Sequence, residues 1–223
     1  MAEEIRRDLR MIGETSSNGG QFRHVRIVGE SVLSSDVDCL KLHCTGELDI
    51  NGDLKVGGLR LTGECEVKGN LDATKIGGRG EISILAGARL EEVKFTGNID
   101  VKGDCEVGSY RGSGAFTVGG LLSAEILEIT MYGPCNAKEL GGGTLKIKRS
   151  RSAIFSNLIR SKHATVLNTE LIEGDSIDIE HTVANVVRGN RVKVGAGCDI
   201  DRVEYRGTLQ IHKSAIVREQ IKL

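Results

Sequence analysis

Apolar and polar positions along this chain recur with one fixed period, and glycine anchors the repeat. Gly29, Gly46, Gly63, Gly80, Gly97 and Gly114 stand 17 apart throughout, and TGELDINGDLKV from Thr45, TGECEVKGNLDA from Thr62 and TGNIDVKGDCEV from Thr96 are variants of one unit. With each glycine as column zero, column four holds Leu33, Ile50, Val67, Ile84, Val101 and Val118. Column eight holds Val37, Leu54, Leu71, Ala88, Cys105 and Leu122, and column ten Cys39, Val56, Ala73, Leu90, Val107 and Ala124. Column thirteen holds Leu42, Leu59, Ile76, Val93, Tyr110 and Leu127. Columns two and fifteen add Leu48, Cys65, Ile82, Ile99, Phe116, Cys44, Leu61, Phe95 and Ile129. Apolar residues therefore come in pairs two apart, the spacing that turns alternate side chains of a strand to one face. A helix would need a period of about 3.6 and would not carry glycine at this frequency.

Corners fall between the pairs, at the column-zero glycine, at Gly52, Gly69, Gly103 and Gly120 in column six, and around Gly57 and Gly58. Three short strands and three corners per repeat predict one turn of a parallel β-helix whose rungs stack about 4.8 Å apart. The whole chain would make roughly thirteen rungs, a rod about 60 Å long. Left-handed β-helices usually show hexapeptide units; here one face is a residue short and no [LIV]-G-x-x-x-x register persists. The expected fold is therefore all-β, a right-handed parallel β-helix, a triangular solenoid with about 17 residues per rung. The period slips after Met131 and recovers where Val192, Val194, Cys198 and Ile200 recur as Leu209, Ile211, Ala215 and Val217. This divides the chain into an N-terminal tail (1–20), regular rungs (21–140), irregular rungs or a loop (141–170) and C-terminal rungs (171–223). Whether the two regular stretches form one rod stays open at this level.

Composition removes several function classes. Collagen is excluded by the lack of a three-residue glycine period and by a single proline. Simple disorder is opposed by 39% hydrophobic residues. With 30 Lys and Arg against 31 Asp and Glu, no basic excess calls for nucleic acid as a partner. The opening segment is too charged for a secretory signal, and no uncharged apolar run is long enough to span a membrane. Ile5, Leu9 and Ile12 suggest at most a short helical stripe. The six cysteines form no C-x-x-C pair, which favours reduced thiols and a cytoplasmic location.

The run SSNGGQFRHVRIVGE from Ser16, the TGxxxxxGxx rungs, and IEGDSIDIEHTVANVVRGNRVKVGAGCDIDRVEYRG from Ile172 together resemble the bactofilins. The likeness is to the polymer-forming cytoskeletal proteins of this kind in Gram-positive bacteria, and it covers the chain from about Gly13 to Val217. It implies a right-handed triangular β-helix that polymerises end to end, without nucleotide, into nonpolar filaments that organise cell shape or wall machinery. The implied partner is the protein itself, as a homopolymer, with a paralogue as a second candidate. Many bactofilins carry a short apolar N-terminal membrane peptide and Pro-rich tails; neither stands in this sequence, which argues against membrane attachment.

Residues suited to catalysis are dispersed. His24, His43, His163, His181 and His212 lie apart, and only His163 and His181 are spaced to stack on neighbouring rungs, without a carboxylate or thiol at metal-ligand spacing. Asp36, Asp53, Asn70 and Asp104 form a column-seven ladder, read as turn formers because the G-G-x-G-x-D calcium repeat is absent. Gly141–Gly143 lacks the G-x-x-x-x-G-K-[ST] spacing of a phosphate loop. Cys39, Cys44, Cys65 and Cys105 sit in inward columns as small core residues. Arg60, Lys94 and Arg111 share column fourteen, but Glu128 interrupts it, which leaves a solvated face. No catalytic, cofactor or metal residues are therefore assigned, and no enzymatic activity or cofactor is expected. The expected functional surface is the pair of rod ends, where no capping helix is evident: Val25 and Ile27 on the first coil, Leu209, Ile211, Ala215 and Val217 on the last. A β-helical enzyme acting on polysaccharide or transferring acyl groups is the alternative, opposed by the absence of Trp and the scarcity of aromatic platforms.

Overall fold

The computed structural model describes residues 6–150 and 165–223, and the glycine column is a backbone ladder in it. Gly29 pairs with Gly46, Gly46 with Gly63, Gly63 with Gly80, Gly80 with Gly97, and Gly97 with Gly114. All these glycines have positive φ, from 112° at Gly29 to 144° at Gly114. A Cβ on Gly63 would drive into the carbonyl oxygen of Gly46 one rung below, and the same holds up the column. Glycine is thus required twice over, by the dihedral and by the rung spacing.

The strands run β1 (Arg7–Ile12), β2 (Thr15–Ser17), β3 (Gly20–Leu33), β4 (Val37–Ile50), β5 (Leu54–Val67), β6 (Leu71–Ile84) and β7 (Ala88–Val101). They continue as β8 (Cys105–Arg149), β9 (Leu167–Ile179), β10 (Thr182–Val194), β11 (Asp199–Ile211) and β12 (Ile216–Lys222). All pairs are parallel and form one sheet in the order β1-β3-β4-β5-β6-β7-β8-β9-β10-β11-β12, with β2 also on β3. The described residues contain no helix, and the sheet winds as a β-solenoid of about 12 turns with rungs roughly 17 residues apart. Only one of the three expected corners breaks the strands from β3 to β7, at columns five to seven, as in Asn51-Gly52-Asp53, while the corner at column eleven skips one residue pair, as at Leu40 and Gly57. The glycine corner and the corner near columns eleven and twelve stay within continuous strands.

The apolar columns are the core. Every residue of columns four, eight, ten and thirteen from Leu33 to Leu127 is buried, as are Cys44, Leu48, Leu61, Phe95, Phe116 and Ile129. Each fully buried Val, Leu or Ile contributes about 1.5–3 kcal/mol, and stacking supplies the cover that a lone rung lacks.

The ends of the chain depart from the regular period. Residues 7–17, expected in a tail, form β1 and β2. β1 lies on β3 with Leu9 opposite Val25 and Met11 opposite Ile27, offsets of 16 that a search at 17 passes over. The short helical stripe is therefore corrected to a strand: Leu9 and Met11 face the core while Ile12 is 57% exposed. Ile5 lies outside the described residues, as does 151–164 of the segment expected to be irregular. The flanking parts are regular, since Leu140 of β8 pairs with Ile172 of β9 and Gly142 with Gly174. One sheet therefore joins the two stretches.

Candidate assembly surface

The six residues expected at the rod ends fall into two groups. Val25 and Ile27 are each 1% exposed beneath Leu9 and Met11. They are not on the first coil, and that placement is corrected: an extra rung, hidden by its shorter spacing, covers them. Leu209, Ile211, Ala215 and Val217 are half-buried and pack on the core from one side. Leu209 and Ile211 stack on Val192 and Val194, and Val217 on Ile200. β12 pairs with β11 only from Asp199 to Tyr205, so among the described residues the stretch from Leu209 to Ile211 has no strand over it.

The column-seven ladder joins rungs. The Asp53 N–H donates to Asp36 Oδ1 (2.9 Å), the Asn70 N–H to Asp53 Oδ1 (2.7 Å), and the Gly87 N–H to Asn70 Oδ1 (3.1 Å). The ladder resumes where Asp104 Oδ1 accepts the Leu121 N–H at 2.8 Å. These side chains fill the space beside the next corner, which explains the glycines there: a Cβ on Gly52, Gly69 or Gly120 would strike Oδ1 of Asp36, Asp53 or Asp104. Their oxygens are engaged by backbone donors, which is turn chemistry of the kind expected, extended between turns.

Ion pairs occupy the outward columns of the C-terminal rungs. Arg188 sits in register between Glu173 and Glu204 and reaches both, at 3.3 Å and 2.6 Å. Arg202 binds Glu219 at 2.7 Å, and Arg218 binds Asp199. Arg188, and then Arg202, hold the Glu204 carboxyl below its ordinary value against the opposing effect of desolvation. Sequence reasoning missed this alternating ladder; its signal lies at offsets of 15 and 16 between Glu173, Arg188 and Glu204.

The cysteines and histidines do not converge. All six thiols are free and buried. Burial pushes Cys44 up to about 11 and Cys39, Cys105 and Cys135 up to about 12, far from nucleophilic use. His24 Nδ1 lies 3.2 Å from Asp8 Oδ1, His212 Nδ1 2.8 Å from Ser214 Oγ, and His43 is exposed. His181 has a φ of 49° and a pKa lowered first by burial and then by Arg149. Its stacking partner in the sequence reading, His163, lies outside the described residues. Among the described residues no group of three or more His, Cys, Asp or Glu could hold a metal ion, and no helix is long and apolar enough to cross a membrane. A concavity of about 420 Å³ runs over Gly142, Gly174 and Gly189, rimmed by Glu139, Arg188 and Arg206. Arg188 is already engaged there by Glu173 and Glu204.

The geometry defines an all-β parallel solenoid in which, among the described residues, the stretch from Leu209 to Ile211 has no strand over it. A stretch of 107 residues is 37% identical to the uncharacterized protein YhbE of Bacillus subtilis (strain 168), covering 48% of this chain and 44% of that protein. A stretch of 105 residues is 33% identical to the uncharacterized protein YhbF of the same organism, covering 47% and 42%. The match thus spans less than half the length of either relative. No protein-family model matches the chain, and no solved structure matches it significantly.

Proposed function

We propose that the protein is a structural scaffold that assembles with copies of itself, rung on rung, into nucleotide-independent, nonpolar filaments. The reading carries with it the cytoskeletal role, in cell shape or wall organisation, implied by the resemblance to bactofilins. The observation that supports it is the rung interface itself. From β3 to β8 successive turns meet through one parallel register, apolar column on apolar column. A rung face of stacked apolar columns is suited to covering another rung face, and in a nonpolar filament like face meets like face across a two-fold. Leu209, Ile211, Ala215 and Val217 offer such a face, half-buried and joined to the core. Adding a strand to it would satisfy backbone donors and acceptors while covering apolar side chains.

The test is Ile211→Lys and Val217→Lys in the full chain, examined by sedimentation and negative-stain microscopy. A nonpolar filament meets this face with itself, so each lysine would be set against its symmetry mate and desolvated. In an isolated molecule the side chain reaches water, and the fold is kept. The expected outcome is a normal β-sheet circular dichroism spectrum, no filaments, and, at about 0.5 M salt, a dimer at most. Filaments from both variants, or assembly of the parent only with ATP or GTP, would refute the proposal.

A further inference from the structure

The first rungs carry two ladders of opposite sign. Glu30, Glu47, Glu64 and Glu81 stack in register just after the glycine corner, all exposed. Arg10, Arg26, His43 and Arg60 stack in register on the strand just before it, all exposed. Like charges directly opposite on paired strands repel. Other like charges also meet in register, as at Lys94 and Arg111 or Asp49 and Glu66, but several columns are compensated: Glu173, Arg188 and Glu204 alternate in sign, and Glu92 is bound by Lys75 and Lys94. Among the described residues no ion pair neutralises the Glu30–Glu81 ladder or Arg10, Arg26 and Arg60. The two ladders share one pitch, overlap on the rungs of Gly29, Gly46 and Gly63, and flank the same corner.

We infer that a second copy of this chain docks side by side, with the acidic ladder of one solenoid against the basic ladder of its neighbour. With axes parallel and rungs aligned, Glu30 meets Arg26, Glu47 meets His43 and Glu64 meets Arg60. A rigid ladder of matched pitch suits this partner better than a flexible ion. The contact is heterologous, so it leaves a free acidic face on one side and a free basic face on the other, and association continues sideways. It is independent of stacking at the ends: loss of this contact leaves single filaments, whereas loss of end contacts leaves none.

Two triple variants of the full chain test it. One is Glu30→Lys with Glu47→Lys and Glu64→Lys; the other is Arg10→Glu with Arg26→Glu and Arg60→Glu. Circular dichroism checks the fold, and the milder Glu30→Gln, Glu47→Gln, Glu64→Gln set serves if the lysine set misfolds. Assembly width is read by electron microscopy and sedimentation, first in dilute buffer and then at about 0.5 M salt, where the Debye length falls to about 4 Å. The parent should associate laterally in dilute buffer and separate in salt. Each triple variant alone should lose lateral association, because both its ladders then carry one sign. An equimolar mixture of the two should regain it, since the new Lys ladder faces the new Glu ladder; the Gln set should simply lose it. Salt-insensitive association of the parent, its absence in dilute buffer, or variants that associate like the parent would overturn the inference. Two folded variants that stay separate on mixing would assign the Glu ladder to a different basic partner and overturn it as well.

Discussion

Gly120→Ala should destabilise the protein, yet the same substitution should stabilise a protein that already carries Asp104→Ala. A methyl group on Gly120 would fall on Asp104 Oδ1 and crowd Asp104 Cγ at 3.1 Å, while Asp104 N at 3.6 Å leaves room. Only the end of a side chain has to move, and moving it breaks the bond to the Leu121 N–H. A charge-assisted bond at an exposed corner contributes about 1–1.5 kcal/mol. Against this, Ala restricts the unfolded chain relative to Gly by about 0.4–1 kcal/mol, and Gly120 is not among the glycines with positive φ. The net cost in the parent is about 0.5 kcal/mol, a fall of about 1–2 °C in Tm for a chain of this size. In the Asp104→Ala background the bond is already absent and the space is open, so Gly120→Ala should raise Tm by about 1–4 °C. The coupling energy is then about 1–1.5 kcal/mol, measurable by thermal melts of the four proteins. Gly69 is the control, because a Cβ there meets backbone as well, at Asp53 N and Gly52 C, both 2.8 Å away. Gly69→Ala should stay destabilising whether or not Asp53 is Ala. Additive Gly120 and Asp104 effects, to within about 0.5 kcal/mol, would refute this account of why the corner is glycine.

Val101 is fully buried between Ile84 and Val118, so Val101→Asp should cost about 3–5 kcal/mol through an unpaired buried carboxyl. An unchanged melting curve would show that column four does not point inward. Glu92 is held at about 2, against an ordinary 4.5, by hydrogen bonds from Lys75 and then Lys94. Because its folded pKa is depressed, the stability it adds is complete above about pH 4.5 and is lost as pH falls towards 2; the Tm gap between parent and Glu92→Gln should close over that window. Thiol titration at pH 8 should label none of the six cysteines in the native protein and all six in denaturant, and rapid native labelling would contradict their burial.

The core was legible because its spacing is constant where the sequence repeats. From β3 into β8 every partner stands at an offset of 17, so the columns could be read from the chain alone. Legibility failed wherever the turn length changed. The β1 rung meets β3 at offsets of 15 and 16, which hid the cover over Val25 and Ile27 and moved the first coil back to Leu9 and Met11. The pairing of β8 with β9 jumps to an offset of 32, across 151–164, and no single period crosses it. The Glu173, Arg188 and Glu204 ladder was missed for the same reason, since a turn of 15 and then one of 16 takes it out of any fixed column. In column fourteen, Arg60, Lys94 and Arg111 were visible at multiples of 17, whereas Arg10 pairs with Arg26 at 16 and drops out.

These differences in spacing also decide how the solenoid handles charge. In a parallel stack, identical columns lie about 4.8 Å apart, so a repeat copied faithfully sets each outward residue beside its own kind. For Val or Leu pointing inward this is favourable, and for Asp in column seven the problem is removed because each carboxylate faces a backbone N–H of the next rung. For Glu30 to Glu81 nothing intervenes, and repetition makes a ladder of one sign. Rungs whose length varies escape this, because a shift of one or two positions brings a different column into line, as at Glu173, Arg188 and Glu204. The Glu30–Glu81 column therefore stays unneutralised within the chain, whereas Glu173, Arg188 and Glu204 are matched inside it. Side-by-side association should accordingly involve the N-terminal rungs, while the half-buried apolar face of Leu209 and Ile211, set among rungs whose charges are already matched, is the one suited to stacking.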